Sequence, residues 1–149
     1  MIAIAMRPAQ SRKWGSVSFA STLYLYPILD LLLARVPKHM EGEVRLGLQE
    51  ALVNAATHGN KLDPTKKISV RFFFFDNEYW WIISDQGNGF KTENCSSSDS
   101  QCCLPCDDAE DGRGLFILHQ IFDHVKWNTE GTELQLCKHV KDFNRFLSF

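Results

Sequence analysis

Long hydrophobic runs are missing from this chain. The longest apolar stretch, LYLYPILDLLLARV (23–36), is broken by Pro27 and Asp30 and stays under 18 residues, too short to cross a membrane as a helix. The opening MIAIAM is too brief for a secretory hydrophobic segment and runs into Arg7 and Pro8, so no leader peptide is expected. A dominant charge is missing too. Lys and Arg number 16 against 18 Asp and Glu, a formal −2, and the basic residues form no stripe interleaved with aromatics, which argues against direct nucleic-acid contact. Paired CxxC motifs are absent. Four of the five cysteines, Cys95, Cys102, Cys103 and Cys106, are spaced C-x6-C-C-x2-C with no histidine nearby, a poor pattern for tetrahedral zinc. Free thiols in a reducing compartment are the default reading and a thiol switch the alternative. A soluble, cytoplasmic protein is expected, its 149 residues making a single domain with one core.

What is present is a clear order of elements. WGSVSFAS (14–21) alternates as a short strand does. A helix is expected within 22–36, with Pro27 in its first turn, where a missing N–H is harmless, and Pro37 as its stop. A longer helix should run from Met40 or Glu41 to about His58, with Gly59 as candidate C-cap and Val44, Leu48, Ala51, Leu52 and Ala55 as its core face. KKISVRFFFF (66–75) and EYWWIISD (78–85), separated by Asp76 and Asn77, predict an antiparallel hairpin. DGRGLFILHQIF (111–122) predicts a glycine turn leading into a helix, and residues 124–128 and 132–138 a second hairpin. The expected fold is α+β, a two-layer sandwich with helices on one face of a mainly antiparallel mixed sheet. Residues 91–111 show neither period, as expected of a lid, a binding loop or a disordered segment.

Three short stretches carry candidate chemistry. In EALVNAATHGN (50–60), Glu50, Asn54 and His58 recur every fourth residue, which places them in one row along a helix, away from its core face. In DQGNGF (85–90), Asp85 ends a strand, and Gly87 and Gly89 allow the backbone to turn and approach a ligand. In GRGLF (112–116), two glycines open a helix whose free N–H groups suit an anion. Singly, these have ordinary explanations: a solvated face, a turn, a cap. Together they supply what a magnesium–nucleotide site needs, namely an oxygen ligand for a hard cation, a carboxylate near the reacting phosphate, a backbone cradle and a base-reading acceptor.

The wording and order of these stretches resemble the N box, DxGxG box and GxG box of the GHKL ATPase superfamily, whose Bergerat-type ATP-binding fold is an α+β sandwich. Within it, EALVNAATHG, DQGNGF, GRGLFIL and EGTELQL look like those of the single-domain bacterial anti-sigma-factor serine/threonine kinases of the RsbW type, over roughly residues 15–138. The resemblance implies ATP and Mg²⁺ as cofactors. It makes Asn54 the magnesium ligand and Glu50 the general base. Asp85 would accept from the adenine amine, with Thr132 supporting it, while Gly87 and Gly89 admit the nucleotide. Gly112, Arg113 and Gly114 would face the phosphates, and His58 would either lie near them or simply cap the helix or pack. It also implies a sigma factor and an anti-sigma-factor antagonist as partners, and a homodimer. A detached sensor-kinase ATPase domain acting in trans is a weaker alternative.

Two features depart from that pattern. Residues 91–111 carry six acidic side chains against Lys91 alone, a net −5, which repels a triphosphate and favours a regulator that binds partners with little catalysis. Phe72 to Phe75 place aromatics on both faces of a strand. Either a partner subunit covers one face or the strand is central in a thick core.

Overall fold

A computed structural model describes residues 14–89 and 111–140, the side chains of 111–113 excepted. The order is β1 (Gly15–Ala20), α1 (Tyr26–Leu33), α2 (Lys38–Asn54), a π-turn (Ala55–Gly59), β2 (Lys67–Phe75), β3 (Glu78–Ser84), α3 (Asp111–Ile121), β4 (His124–Trp127) and β5 (Glu133–His139). The five strands lie in the order β1-β2-β3-β5-β4.

All four neighbouring pairs are antiparallel, so the mixed component expected of the sheet is absent among the described strands. The reason is topological. The β3–α3–β4 connection steps over one place in the sheet, and β5 fills it. β3 and β4 therefore run parallel without touching.

The tightest connection is the β2–β3 hairpin. Asp76 and Asn77 both take positive φ, 53° and 60°, the pair of left-handed residues that a two-residue turn uses to match the twist of its strands. That turn sets the register Phe75↔Glu78 and, further along, Phe72↔Trp81 and Phe73↔Trp80.

Because side chains alternate across a strand, the register assigns the two faces. Ile68, Val70, Trp81, Ile83, Leu134 and Leu136 join Leu29, Leu32, Val44, Leu48, Leu52 and Leu118 in one buried cluster, which places the three described helices on that face. Trp81, 1% exposed, fills the centre, its indole N–H donating to Leu32 O at 3.4 Å. The expected face of α2 is buried throughout, from Val44 to Ala55. Across the opposite face runs an aromatic chain in which Trp14 packs on Phe73, Phe73 on Trp80, and Trp80 on His124.

Element ends moved by a few residues. α1 is shorter than 22–36, with Pro27 in its first turn as expected. The larger change is at the end of α2. The helix does not run regularly to His58: the Asn60 N–H reaches back five residues to Ala55 O at 2.9 Å, which widens the last turn. Such π-turns recur at functional sites. Gly59 is also not the left-handed cap that was expected; the positive φ falls on Lys61 and Leu62. No helix among the described residues is long and apolar enough to cross a membrane.

Candidate functional site

The π-turn is held by one buried side chain. Asn60 is 0% exposed, and its amide group donates to Ser21 Oγ at 2.8 Å and Lys67 O at 3.0 Å. Its carbonyl oxygen accepts the Gln86 N–H at 2.8 Å. One carboxamide thus ties the end of α2 to β1, to β2 and to the segment leaving β3. Sequence reasoning missed this residue. The only signal was an Asn directly after Gly59, which reads as a turn and gives no hint of burial. Asn60→Ala is expected to destabilise the fold by about 2–4 kcal/mol, since it leaves a cavity and strands three polar partners. Urea unfolding measures this, and a loss under about 0.5 kcal/mol would deny Asn60 that role.

The clamp brings the first two motifs together. A Cβ on Gly59 would collide with the Asp85 carboxylate, and one on Gly87 with the Gly59 carbonyl. Glycine at both places is therefore what lets the π-turn and the Asp85 loop close on each other. Gly89 takes φ +75° with its Cα against the Glu130 carbonyl, so the same loop also rests on the β4–β5 turn. That turn is built by Asn128, whose Oδ1 accepts the N–H groups of Thr132 and Glu133 and whose Nδ2 donates to Thr132 Oγ1. Thr132 in turn accepts the Asp85 N–H on its backbone oxygen at 3.0 Å. In this structure it supports the aspartate through the main chain, while its hydroxyl engages Asn128.

Asp85 itself is half-buried. Desolvation raises its carboxyl above the ordinary carboxylate value, partly offset by the Gly87 N–H at 2.9 Å and by Lys66. The raised value means the fold prefers the protonated form. Stability from this group is complete below the unfolded carboxylate range and is lost as pH rises through the folded value. Asp85→Asn keeps the acceptor for Gly87 and removes the buried charge. It is expected to raise the ligand-free melting temperature at neutral pH, with the gain fading toward about pH 4. A thermal-shift series across pH checks this; a lower melting temperature at pH 7 would contradict it.

Asn54, His58 and Asp85 border one cavity of about 170 Å³ together with Ala55, Gly59, Gly89, Leu115, Trp127 and Gly131. At well under the about 300 Å³ usual for drug-sized ligands, it suits one planar heterocycle and not a whole nucleotide. Toward α3 the wall is polar. A Cβ on Gly114 would lie 3.0 Å from Asn54 Nδ2 and 3.4 Å from Glu50 Oε2, so the first turn of α3 passes directly over the Asn54 and Glu50 head groups. Neither side chain hydrogen-bonds another described residue, and both head groups lie against the Gly114 backbone. A carboxamide oxygen and a carboxylate beside a helix start fit a hydrated magnesium ion with phosphates, which takes few protein ligands.

Gly112 and Arg113 belong to that first turn, but their side chains lie outside the described residues, as do residues 91–110 with Cys95, Cys102, Cys103 and Cys106. Glu50 stands beside the cavity and is not in its lining. A larger open groove, about 920 Å³, lies between Trp14, Arg35 and the aromatic residues of β2 and β3. It gathers none of the motif residues, so the smaller cavity is taken as the site.

An antiparallel sheet backed by helices thus carries a helix-borne Asn and a strand-end Asp on one cavity bordered by glycine turns. The chain belongs to the histidine kinase-like ATPase domain family, whose sequence profile matches residues 30–138. It is similar to the serine-protein kinases RsbW of Bacillus licheniformis (28% identical over 88 residues, 56% of this chain and 54% of the relative) and Bacillus subtilis strain 168 (25% over 103 residues, 66% and 64%). Its similarity to the serine-protein kinase RsbW of Staphylococcus epidermidis is 28% over 106 residues, 65% and 64%. The chain thus spans between 54% and 64% of the length of these curated relatives.

Proposed function

We propose that the protein binds ATP with Mg²⁺ and acts as an anti-sigma-factor serine/threonine kinase, holding a sigma factor and phosphorylating an antagonist of that hold. The observation that carries this reading is the cavity bordered by Asn54, His58, Asp85 and Gly89, with Glu50 and Asn54 beneath the start of α3. Asp85 accepts the exocyclic amine of adenine, which selects against guanine, whose oxygen at that position has no proton to give. Gly87 and Gly89 keep the floor close to the base, and Thr132 holds Asp85 in place. Asn54 offers its oxygen to the metal. Magnesium, when bound, neutralises phosphate charge and fixes the phosphates' orientation. Glu50, one turn earlier, accepts the proton of an attacking serine hydroxyl. The N–H groups at Gly112, Arg113 and Gly114 face the phosphates at the positive end of α3. His58 stands at the cavity edge, near the phosphates.

The relatives named as serine-protein kinases support the activity. A cytoplasmic homodimer fits the same reading, with the aromatic face of the sheet as the surface a second subunit would cover. A second reading rests on the net −5 of residues 91–111: a nucleotide-dependent regulator that sequesters its partner with little phosphoryl transfer.

Calorimetric titration of the purified protein with a non-hydrolysable ATP analogue, with and without Mg²⁺, tests the common element. Magnesium-dependent binding is expected. Absence of binding at every magnesium concentration would remove both readings.

A further inference from the structure

We propose that Glu78, Cys137 and His139 form a binding site for a zinc-class divalent cation on the sheet face turned away from the helices. This site is independent of the nucleotide reading.

Strand register sets its geometry. Glu78 on β3 stands directly opposite His139 on β5, and Cys137 lies two residues before His139 on the same face, opposite Trp80. The three donor atoms all lie within 4.8 Å of one another. Glu78 Oε1 and His139 Nδ1 are 3.3 Å apart. That is long for a charge-assisted hydrogen bond, which prefers about 2.7–2.9 Å. It matches the edge of a tetrahedron with metal bonds of about 2.0–2.1 Å, which is about 3.3 Å. A sulfur–nitrogen edge is about 3.6 Å, and the half-exposed His139 side chain can supply the movement needed.

The ligands are also oriented by their neighbours. Glu78 Oε2 accepts the Trp80 indole N–H at 2.9 Å, which leaves Oε1 directed to the cluster. The backbone N–H of His139 donates to Asp123 Oδ2 at 2.7 Å, and the backbone N–H of Asp123 donates to Cys137 O at 2.8 Å, which fixes the strand that carries both residues. The Trp80 contact is an outer contact of the kind that fixes a metal ligand and contributes to affinity.

The charge balance favours a cation. Cys137 is 1% exposed, and its Sγ lies beside the Glu78 carboxylate. A thiol binds a metal as thiolate, its proton leaving to solvent as the cation enters. Thiolate and carboxylate then match the charge of a divalent ion, with the imidazole neutral. A thiolate selects zinc and its soft neighbours over Mg²⁺, so this site and the nucleotide cavity take different metals. A bound ion would staple the ends of β3 and β5.

The test uses the full chain with Cys95, Cys102, Cys103 and Cys106 replaced by serine, stripped with chelator and titrated with Zn²⁺, and with Co²⁺ as a spectroscopic probe. One equivalent is expected to bind, with a thiolate-to-cobalt charge-transfer band. Cys137→Ala should remove the band and weaken Zn²⁺ binding at least about 100-fold, and His139→Ala should weaken it at least about tenfold. Because Cys137 is buried, His139→Ala on the exposed side decides the matter if Cys137→Ala does not fold. No band in the four-serine protein, or unchanged Zn²⁺ affinity in His139→Ala, overturns the site.

Discussion

Asn54→Ala is expected to abolish magnesium-dependent nucleotide binding while leaving the fold intact. The two effects separate by position. Asn54 is the last residue of α2, half-buried, and its carboxamide makes no hydrogen bond to another described residue. Truncating it breaks no hydrogen bond among the described residues, and alanine is the better helix former. The amide nitrogen lies 3.0 Å and the oxygen 3.7 Å from where a Gly114 side chain would begin, so the group's surroundings are the first turn of α3 and the cavity. Loss of an outer-shell partner typically costs 10- to 100-fold in metal affinity, and loss of a direct oxygen ligand should cost at least about 100-fold. Calorimetry with the ATP analogue in Mg²⁺, beside a thermal melt, reads both quantities. Wild-type affinity in a folded variant would sink the assignment of Asn54.

Glu50→Gln should give the opposite division, with nucleotide bound and chemistry lost. The substitution keeps size and hydrogen-bonding capacity and removes basicity. Glu50 lies outside the cavity lining yet within 3.4 Å of the same Gly114 position, which under the proposed function is the phosphate end and not the base end. Removing a general base slows transfer by about 10²- to 10⁴-fold. Single-turnover transfer of the γ-phosphate to the antagonist protein, with affinity measured in parallel, checks it. A variant as fast as wild type would exclude Glu50 as base. A wild type that binds nucleotide and transfers nothing would favour the sequestering regulator.

Local signals were legible in the sequence wherever neighbours in the chain are also neighbours in space. Asp76 and Asn77 predicted the β2–β3 hairpin, and the spacing of Val44, Leu48 and Leu52 predicted the buried face of α2. DQGNGF predicted a sharp backbone turn, and the close approach its glycines make in the structure is to the Gly59 and Glu130 carbonyls. Long-range consequences escaped. The π-turn depends on Asn60 finding Ser21 and Lys67, 39 and 7 residues away, and no local period encodes that. Gly59 read as a helix cap because glycines commonly end helices, but here its missing side chain makes room for Asp85. The all-antiparallel sheet results from where β5 inserts, and the grouping of Glu78 with Cys137 and His139 from a register visible only once β3 and β5 pair.

The widened turn at Ala55–Gly59 also bears on which changes this segment can tolerate. It holds one residue more than an α-helical turn closed from the same carbonyl would need, and that surplus sets the phase at which Asn60 leaves the helix. Deleting one residue between Ala55 and Gly59 would leave an ordinary α-helical turn closed from the Ala55 carbonyl, which keeps Asn60 near its phase, whereas inserting one would turn the chain beyond it by about 100° and carry Asn60 away from Ser21 and Lys67. Chain length in this stretch is thus constrained in one direction: the loss of a residue is absorbed as an α-helical turn, but an added residue is not.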